Sequence, residues 1–258
     1  NFKAMKMKIG LGPKDDLKLV KAVRDEIGDD FKLMVDANHA YNINGAMYVG
    51  KGLEEMDIYW FEEPVAPEDY DGYKELKDNL KTNIAGGEAE FTKYGWNQLI
   101  KKRCIDIAQP EVCGLGGITE YLKISALAQS NFIPIINHVW GSALSVAVNI
   151  HLLTAQPDMP GGLFPFKSML EFDTTDKNIF ITDLCNESFS VLDLNNASCS
   201  CNSNFKSIAA SFTDLSCTVA NPTLATPPTI ALAQPPKKIK IRKRAKYLFI
   251  HLSILYPF

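Results

Sequence analysis

The sequence predicts an α/β fold in which strands and helices alternate, and three observations support this prediction. Residues 1 to about 194 alternate short apolar runs with longer amphipathic ones, an order typical of parallel βα units. The candidate strands are continuous apolar runs, which indicates that both faces of the sheet are covered. A polar residue closes each candidate strand at a spacing that suits the βα units of a barrel. The predicted architecture is therefore a TIM-like (β/α)7β barrel.

The candidate strands cover residues 4–9, 32–35, 58–61, 83–85, 105–108, 133–136 and 169–172. The candidate helices cover residues 15–27, 44–56, 70–80, 92–102, 117–129 and 142–155. In the first helix, Leu17, Val20 and Val23 recur at helical spacing behind acidic residues in the first turn. These candidates supply one strand fewer than a closed barrel needs, and the missing first strand would precede Asn1. We therefore expect a barrel that is truncated at its N-terminal side.

The composition favours a globular chain and excludes several classes of partner. Of the 258 residues, 46% are hydrophobic and 22% are charged, which suffices to bury a sizeable core. The formal net charge of −3 gives no general attraction to nucleic acid or to an anionic membrane. No apolar run is long enough to span a bilayer. Because the six cysteines do not make a disulfide framework in a chain of this length, we expect free thiols and a cytoplasmic location.

Residues 195–258 differ in composition from the region before them. Ser, Asn, Thr, Pro and Cys dominate, and no amphipathic period continues. We predict an irregular, low-complexity tail, either disordered or of aberrant origin, behind a partial barrel domain at residues 1–194. A basic run at residues 237–246 is compatible with a nuclear-localisation or nucleic-acid patch. A solvated tail explains the same run, so nucleic acid is not an expected partner.

Polar residues that close successive strands are the candidate functional residues. They are Lys8, Asp36, Glu62, Glu88, Glu111, His138 and Glu171. In a barrel all strand ends face one mouth, where such residues serve catalysis. Asp36, Glu62 and Glu88 each follow an apolar run, and carboxylate oxygens are the ligands that Mg²⁺ prefers. No cluster of Cys and His competes for the cation in this sequence, which argues against zinc.

Two groups of ionisable residues would flank this metal site. Lys6 and Lys8 share one strand face, and a lysine beside a dication has a lowered pKa and can act as a general base. A Schiff-base lysine is the alternative interpretation of the same pair. On the opposite side, Glu111 could orient His138 and hold its tautomer. Glu171 could donate a hydrogen bond to a developing oxyanion if it is protonated.

Several short motifs occur together in one order along the chain. They are Lys6-Met7-Lys8, Val35-Asp36-Ala37-Asn38, Phe61-Glu62-Glu63-Pro64, Gly87-Glu88, Gln109-Pro110-Glu111 with Gly116-Gly117, and Asn137-His138-Val139-Trp140-Gly141. In this order they resemble the enolase superfamily, and most closely its mandelate racemase/muconate lactonizing enzyme branch. The resemblance extends from residue 2 to about residue 194. It implies a Mg²⁺-dependent enzyme, with one ion per site, that abstracts the proton α to a carboxylate and gives an enediolate.

The resemblance also implies a role for each candidate residue. The catalytic residues would be Lys8, His138, Glu111 and Glu171, the substrate contacts would be Lys6 and Asn38, and the metal ligands would be Asp36, Glu62 and Glu88. Lys8 would be the base on one face of a small carboxylate substrate, such as an acid sugar. His138 would be the acid or base on the other face, and Glu171 would be the electrophilic donor.

Two features depart from the pattern of this family. Glu111 stands where the family usually has an Asp paired with the His, and its longer side chain alters the geometry of that pair. The N-terminal capping domain and the first barrel strand have no counterpart in this sequence, and the tail replaces the usual C-terminal segment. We expect the full-length protein to be a homo-oligomer.

The resemblance favours an acid-sugar dehydratase, because a lysine and a histidine around a polar mouth suit hydroxylated acids. A hydroxy-acid racemase or epimerase uses the same two bases and stays open. Cycloisomerisation, or epimerisation of an amino-acid derivative, is less favoured, because that part of the family usually has a second lysine in place of Glu111. An inactive truncated fragment is the alternative from another class, and a nucleic-acid-binding role for the basic tail is a third.

Overall fold

The computed structural model describes residues 4–156, 168–173 and 252–257, and strands alternate with helices through most of them. The strands are β1 Ala4–Lys8, β2 Lys32–Asp36, β3 Ile58–Glu62, β4 Asn83–Gly86, β5 Ile107–Ala108, β6 Met169–Asp173 and β7 Leu252–Pro257. The helices are α1 Pro13–Ile27, α2 Ile43–Glu54, α3 Tyr70–Asn79, α4 Thr92–Lys101, α5 Ile118–Ser130 and α6 Ala143–Thr154. All the predicted helices are present and differ from the prediction only at their ends. No helix among the described residues combines the length and the apolar character needed to cross a membrane.

Local sequence signals explain where several helices begin. Pro13 occupies the first turn of α1, where its missing N–H costs nothing, and the acidic residues Asp15 and Asp16 follow it. The side chains of Asn42 and Ser142 cap α2 and α6 by accepting hydrogen bonds from backbone N–H groups of the first turn. Because most helices begin soon after a strand ends, their positive N-terminal ends lie on the side where the parallel strands finish.

The described strands form one sheet with the order β5-β4-β3-β2-β1-β7-β6. Strands β1 to β5 are parallel, and each pairs with its neighbour in the chain. The register pairs Lys8 with Asp36, and Asp36 with Glu62. Polar residues that end successive strands are therefore direct neighbours. These pairings confirm the predicted α/β fold with a parallel sheet.

Residues 133–136, predicted to be a strand, lie beside β5 without forming a regular ladder. An isolated parallel bridge joins Ala108 to Ile135. The backbone of Ala108 donates to the carbonyl of Pro134 at 2.9 Å and accepts from the N–H of Ile136 at 3.0 Å. Pro134 has no N–H to donate, which limits the ladder. The segment nevertheless has the predicted position next to β5.

Strand β7 lies in the part of the chain predicted to be an irregular tail. It pairs antiparallel with β1 on one side and with β6 on the other. The edge of β1 that the sequence assigns to a strand before Asn1 is thus occupied by β7. The prediction of an irregular tail is wrong for these residues, which form a regular strand. The predicted boundary at residue 194 and the basic run at residues 237–246 lie outside the described residues.

Alternation along the strands separates two apolar layers. One layer packs between the sheet and the helices and includes Met7, Val35 and Phe61. The other layer, called here the inner cluster, consists of Ala4, Met34, Trp60, Ala85, Ile107, Ile136 and Met169. Successive residues of a strand face opposite sides, so the residue two positions later returns to the same face. The inner cluster therefore indicates the direction of the side chains at the strand ends.

Candidate active site

The side chains that follow the inner cluster by two positions meet at the carboxyl end of the sheet. They are Lys6, Asp36, Glu62, Gln109, His138 and Glu171, which follow Ala4, Met34, Trp60, Ile107, Ile136 and Met169. Alternation predicts a common direction for these side chains. Ion pairs and hydrogen bonds among them, and with Glu88 and Glu111, show that they lie together.

Asp36, Glu62 and Glu88 form the candidate metal site. One carboxylate oxygen of each lies within 4.8 Å of those of the other two. The Oε2 atom of Glu88 is buried and accepts no hydrogen bond from the described residues. Its contact with Nε2 of His138, at 3.2 Å, is an ion pair without hydrogen-bond geometry. A buried carboxylate oxygen without a donor, beside two further carboxylates, fits a dication that prefers oxygen ligands.

Lys6 lies at the centre of the acids. Its Nζ atom is 2.5 Å from Glu62 Oε1, 2.7 Å from Glu171 Oε1 and 3.5 Å from Asp36 Oδ2. Burial lowers the pKa of Lys6, but the carboxylates around it outweigh burial and raise this pKa well above its usual range. Lys6 is therefore a permanent cation that neutralises part of the acidic charge.

The two metal-ligand candidates beside Lys6 differ in their proton affinity. Burial raises the pKa of Asp36, but Lys6 and Lys8 outweigh burial and lower this pKa to about 2. Burial and the charge of Asp36 raise the pKa of Glu62 to about 8, against the opposing effect of Lys6. A dication among these oxygens would favour the ionised form of Glu62.

Glu171 accepts hydrogen bonds on this side of the sheet. Burial raises its pKa, but Lys6 and His138 outweigh burial and lower the pKa to about 2. The ionised carboxylate accepts a hydrogen bond from the backbone N–H of Val139 at 3.0 Å. The predicted role of Glu171 as a protonated donor would therefore require a change in its protonation state.

Lys8 lies near the opening of the site, with 29% of its side chain exposed. Its ammonium contacts Asp36 Oδ2 and is 2.7 Å from Asn38 Oδ1. Asn38 and His39 have left-handed φ values of 42° and 54°, which residues other than glycine rarely adopt. This turn places the Asn38 amide between Lys8 and Glu63, with Nδ2 at 3.4 Å from Glu63 Oε2. The roles of Lys8 as base and of Asn38 as substrate contact stay predictions.

His138 and Glu111 form a pair on the other side of the metal site. Nδ1 of His138 is 2.7 Å from Oε2 of Glu111, and an isolated parallel bridge joins the two residues. The longer Glu side chain therefore reaches the histidine. Burial lowers the pKa of His138, but the hydrogen bond with Glu111 and the charges of Glu171 and Glu88 outweigh burial and raise this pKa to about 9.

Trp60 and Gln109 contact the candidate metal site, although the sequence assigned neither of them a role. Trp60 Nε1 donates to Glu62 Oε2 at 2.8 Å, and Gln109 Nε2 donates to the same oxygen at 2.7 Å. Both side chains are buried. Alternation could have identified them, because Trp60 and Gln109 each precede a candidate residue by two positions.

Glu63 is a third residue to which the sequence assigned no role. It is buried, and its Oε2 atom lies 3.1 Å from Nδ1 of His39. Burial, together with the charges of Glu88 and Asp36, raises the pKa of Glu63 to about 7. Adjacent strand residues face opposite sides, so the position of Glu63 after Glu62 predicts the wrong direction. The left-handed φ of 41° at Glu63 changes the chain direction there, and no sequence signal indicates it.

The family described as enolase C-terminal domain-like matches residues 1–183. The chain belongs to the enolase superfamily. This match and the solved relatives confirm the predicted mandelate racemase/muconate lactonizing enzyme branch.

Three members of the enolase superfamily show how far the similarity extends. A D-galactarolactone cycloisomerase from Agrobacterium fabrum is 39% identical over 174 residues, which cover 67% of this chain and 46% of the relative. The crystal structure of a 3,6-anhydro-D-galactonate cycloisomerase from Zobellia galactanivorans has a TM-score of 0.60 and 49% identity, and the match covers 62% of this chain and 45% of that chain. The crystal structure of an L-talarate dehydratase from Polaromonas sp. JS666 has a TM-score of 0.57 and 31% identity, with 61% and 43% coverage.

This enolase-superfamily chain spans about half the length of the curated relatives it matches. The L-talarate dehydratase structure is complexed with Mg and L-glucarate. Together with the three carboxylates at the carboxyl end of the sheet, these findings identify Mg²⁺ as the cofactor that the site suits.

Proposed function

We propose that this chain carries the proton-abstraction site of a Mg²⁺-dependent acid-sugar dehydratase, a hydro-lyase. The proton α to a substrate carboxylate is removed, and a β-hydroxyl group then leaves. One observation carries the proposal: three carboxylates suited to a dication lie between Lys8 on one side and the Glu111–His138 pair on the other. A base and an acid around one bound carboxylate are what such an elimination needs.

The residues of the chain would divide the reaction between two faces of the substrate. Lys8 removes the α-proton on one face through its Nζ atom. His138 delivers a proton from Nε2 to the departing oxygen on the other face, and its pKa of about 9 keeps it protonated near neutral pH. Glu111 holds Nδ1 at 2.7 Å, so Nε2, which lies 3.2 Å from the metal-ligand candidate Glu88, is the nitrogen directed into the site. Lys6 and Asn38 bind and orient the substrate.

Charge balance supports a dication at this site. Removal of the α-proton gives the substrate carboxylate a second negative charge, which must be balanced where it develops. Asp36, Glu62 and Glu88 would hold Mg²⁺, which supplies positive charge at that position when bound. Lys6 adds a fixed positive charge beside these ligands. Glu171 is the proposed electrophilic donor, provided that it gains a proton.

Acid-sugar cycloisomerisation is the second candidate function, because the comparisons favour it. The relatives at 39% and 49% identity are both named as cycloisomerases. In a 3,6-anhydro sugar acid, the ring oxygen is attached to carbon 3, which is β to the carboxylate. Removal of the α-proton and loss of this oxygen would open the ring by the same two steps that dehydrate an open-chain acid. This ring opening does not need a second lysine in place of Glu111, so the absence of that lysine does not argue against this kind of cycloisomerisation.

The products of three substrates in D₂O distinguish these functions. The chain is incubated with Mg²⁺ and an open-chain acid sugar, a 3,6-anhydro sugar acid or a simple hydroxy acid, and NMR follows the α-proton. We expect Mg²⁺-dependent α-exchange and a 2-keto acid from the open-chain acid sugar. A 2-keto acid from the anhydro acid alone indicates the cycloisomerase, and exchange without loss of the β-oxygen indicates a racemase or epimerase.

Variants at the two faces test the residue roles. Lys8→Ala and His138→Ala should each abolish product formation. Exchange that survives both substitutions contradicts the assignment. A chain that binds Mg²⁺ but exchanges no α-proton with any acid is the result expected of an inactive fragment.

Binding of Mg²⁺ can be measured without any substrate. Millimolar Mg²⁺ should raise the melting temperature, and Glu88→Gln should remove most of this effect because it discharges one of the three ligands. Glu75→Gln, at an exposed position of α3, is the matched control and should leave the effect intact. A melting temperature that does not respond to Mg²⁺ shows that the site is not formed.

We further propose a cytoplasmic, homo-oligomeric full-length protein. Cys104 and Cys113 are free thiols among the described residues, which fits a reducing compartment. Phe91 and Tyr94, at the start of α4, expose 61% and 73% of their surface and are candidate contacts between subunits. Light scattering coupled to size-exclusion chromatography measures the oligomeric state directly.

A further inference from the structure

Gln109 lies on the inner face of the sheet and is 2% exposed. Its Nε2 atom donates a hydrogen bond to Glu62 Oε2 at 2.7 Å. Its carbonyl Oε1 is buried and accepts no hydrogen bond from the described residues. Trp60 and Lys6 also donate to the Glu62 carboxylate, so both of its oxygens accept hydrogen bonds from these neighbours. Because Glu62 acts as an acceptor, the Gln109 amide must direct its N–H group, and not its carbonyl, toward Glu62.

The free carbonyl of Gln109 is the feature that needs an explanation. A buried carbonyl without a donor is unfavourable, and such groups are uncommon in folded proteins. The amide thus satisfies Glu62 and leaves its own oxygen unsatisfied. An apolar side chain of similar size would avoid this penalty if the position served packing alone.

We propose that Gln109 is a positioning residue for the metal site. Its amide N–H fixes the Glu62 carboxylate in the orientation that binds the cation. Its free carbonyl accepts a hydrogen bond from a hydroxyl-type donor once the site is loaded, either water on the cation or a hydroxyl group of the substrate. This inference rests on the proposed Mg²⁺ site.

The contacts of Glu62 explain why the loss of one donor would matter. Oε1 is held by Lys6 at 2.5 Å, whereas Oε2 is held by Trp60 at 2.8 Å and by Gln109 at 2.7 Å. Without Gln109, a single indole N–H would hold Oε2, and the carboxylate could rotate. Removal of a group that orients a metal ligand typically weakens metal binding by about 10–100-fold.

Calorimetric titration of the full chain with MgCl₂, in the absence of substrate, tests this inference. Gln109→Met keeps the size of the side chain and removes the amide, and its dissociation constant for Mg²⁺ should rise by about tenfold or more. The matched control is Asn83→Leu. Asn83 also donates an amide hydrogen bond between neighbouring strands, to the carbonyl of Tyr59 at 2.8 Å, but it lies at the opposite end of β4. Its loss should leave Mg²⁺ binding unchanged.

A second variant separates positioning from charge. Gln109→Glu keeps an acceptor oxygen, removes the donor and adds a negative charge. Positioning predicts weaker Mg²⁺ binding, whereas charge alone predicts tighter binding. Equal or tighter binding by both Gln109 variants, in chains that melt cooperatively, overturns the inference. If the wild-type chain binds no Mg²⁺, both the proposed function and this inference are wrong. If the wild-type chain binds Mg²⁺ and the Gln109 variants bind it equally well, only this inference is wrong.

The two sources of the hydroxyl-type donor give different results with substrate at saturating Mg²⁺. If the donor is water on the cation, Gln109→Met leaves the KM of the acid sugar unchanged. If the donor is a substrate hydroxyl, the KM rises for the acid sugar and not for an analogue that lacks this hydroxyl. A rise in KM that is the same for every such analogue overturns the role of the carbonyl.

Discussion

Ionisable residues at the carboxyl end of the sheet hold one another in charge states that the free side chains would not have. Glu111 keeps the imidazole of His138 protonated up to a pKa of about 9, against the effect of burial. Burial and the charge of Asp36 raise the pKa of Glu62 to about 8. Both shifts favour proton binding by the folded chain, so both make its stability fall as the pH rises.

The raised pKa of His138 predicts a dependence of stability on pH. The contribution is fully present below the unfolded value of 6.5 and is lost as the pH rises through the folded value of about 9. Without divalent cations, the part of the free energy of unfolding that His138 contributes should fall by up to about 3 kcal/mol over this range. Urea denaturation at a series of pH values measures this fall.

A variant isolates the histidine from the acids that titrate in the same direction. His138→Asn should lower the stability at pH 6 and leave it almost unchanged near pH 10, so the difference from the wild type shrinks as the pH rises. The pKa values of Glu62 and Glu63 are also raised, and their effect cancels to first order in this difference. A difference that is constant with pH contradicts the assignment.

The segment that carries His138 depends on side chains for its placement, because its backbone ladder is interrupted. Asn137 is buried and accepts a hydrogen bond from the hydroxyl of Tyr121 at 2.8 Å. It also donates to Asn149 at 2.7 Å. Gln156 donates to the same Tyr121 hydroxyl at 2.7 Å. These bonds tie the segment to α5 and α6 at the point where regular strand pairing is absent.

Tyr121→Phe should therefore weaken this attachment. The substitution removes one hydrogen-bond partner from the buried amide of Asn137 and one from the partly buried amide of Gln156, which should cost about 1–3 kcal/mol in the free energy of unfolding. Hydrogen exchange at the N–H of Ile136, which donates to Ala108 in the bordering strand, should become faster. Tyr48→Phe is the control, since Tyr48 is 52% exposed and should tolerate the change. Equal stability of the two variants would show that the network does not hold the segment.

The order of strands and helices was predictable from the sequence, because buried parallel strands and amphipathic helices leave strong periodic patterns. The proximity of Asp36, Glu62 and Glu88 was predictable for a related reason, since parallel strands bring their ends together. The irregular pairing of residues 133–136 was harder to predict from the sequence, although Pro134 indicated it. The direction of the Glu63 side chain could not be predicted, because a left-handed turn and not the strand period sets it.

Strand β7 joins β6 to the other strands of the described sheet, because it lies between β1 and β6. Without it, β1 would present an unpaired edge, and β6 would have no partner strand among the described residues. Its existence could not be deduced from periodicity, since one short apolar run carries no information about which distant strand it will join. Pairing between distant segments is a property of the folded chain and not of its local sequence.

A proline in β7 tests whether this strand completes the sheet. Ser253 pairs with Lys6 of β1 and with Asp173 of β6. Ser253→Pro removes a backbone donor from an interior strand and should lower the free energy of unfolding by about 1 kcal/mol or more. Ser253→Val keeps the N–H and favours a strand, so its stability should match the wild type. Size-exclusion chromatography should show aggregation for the proline variant alone, and a proline variant as stable as wild type contradicts the pairing.

The pairing of β1 with β7 also has a consequence for the speed of folding. Ala4 pairs with Leu255, whereas β1 and β2 pair over a short stretch of chain. Contacts of such high sequence separation raise the contact order and form slowly, because the ends of a long loop must first meet. A nascent chain would hold β1 beside β2 long before β7 leaves the ribosome. The exposed edge of β1 would then be a target for chaperones or for other chains during synthesis.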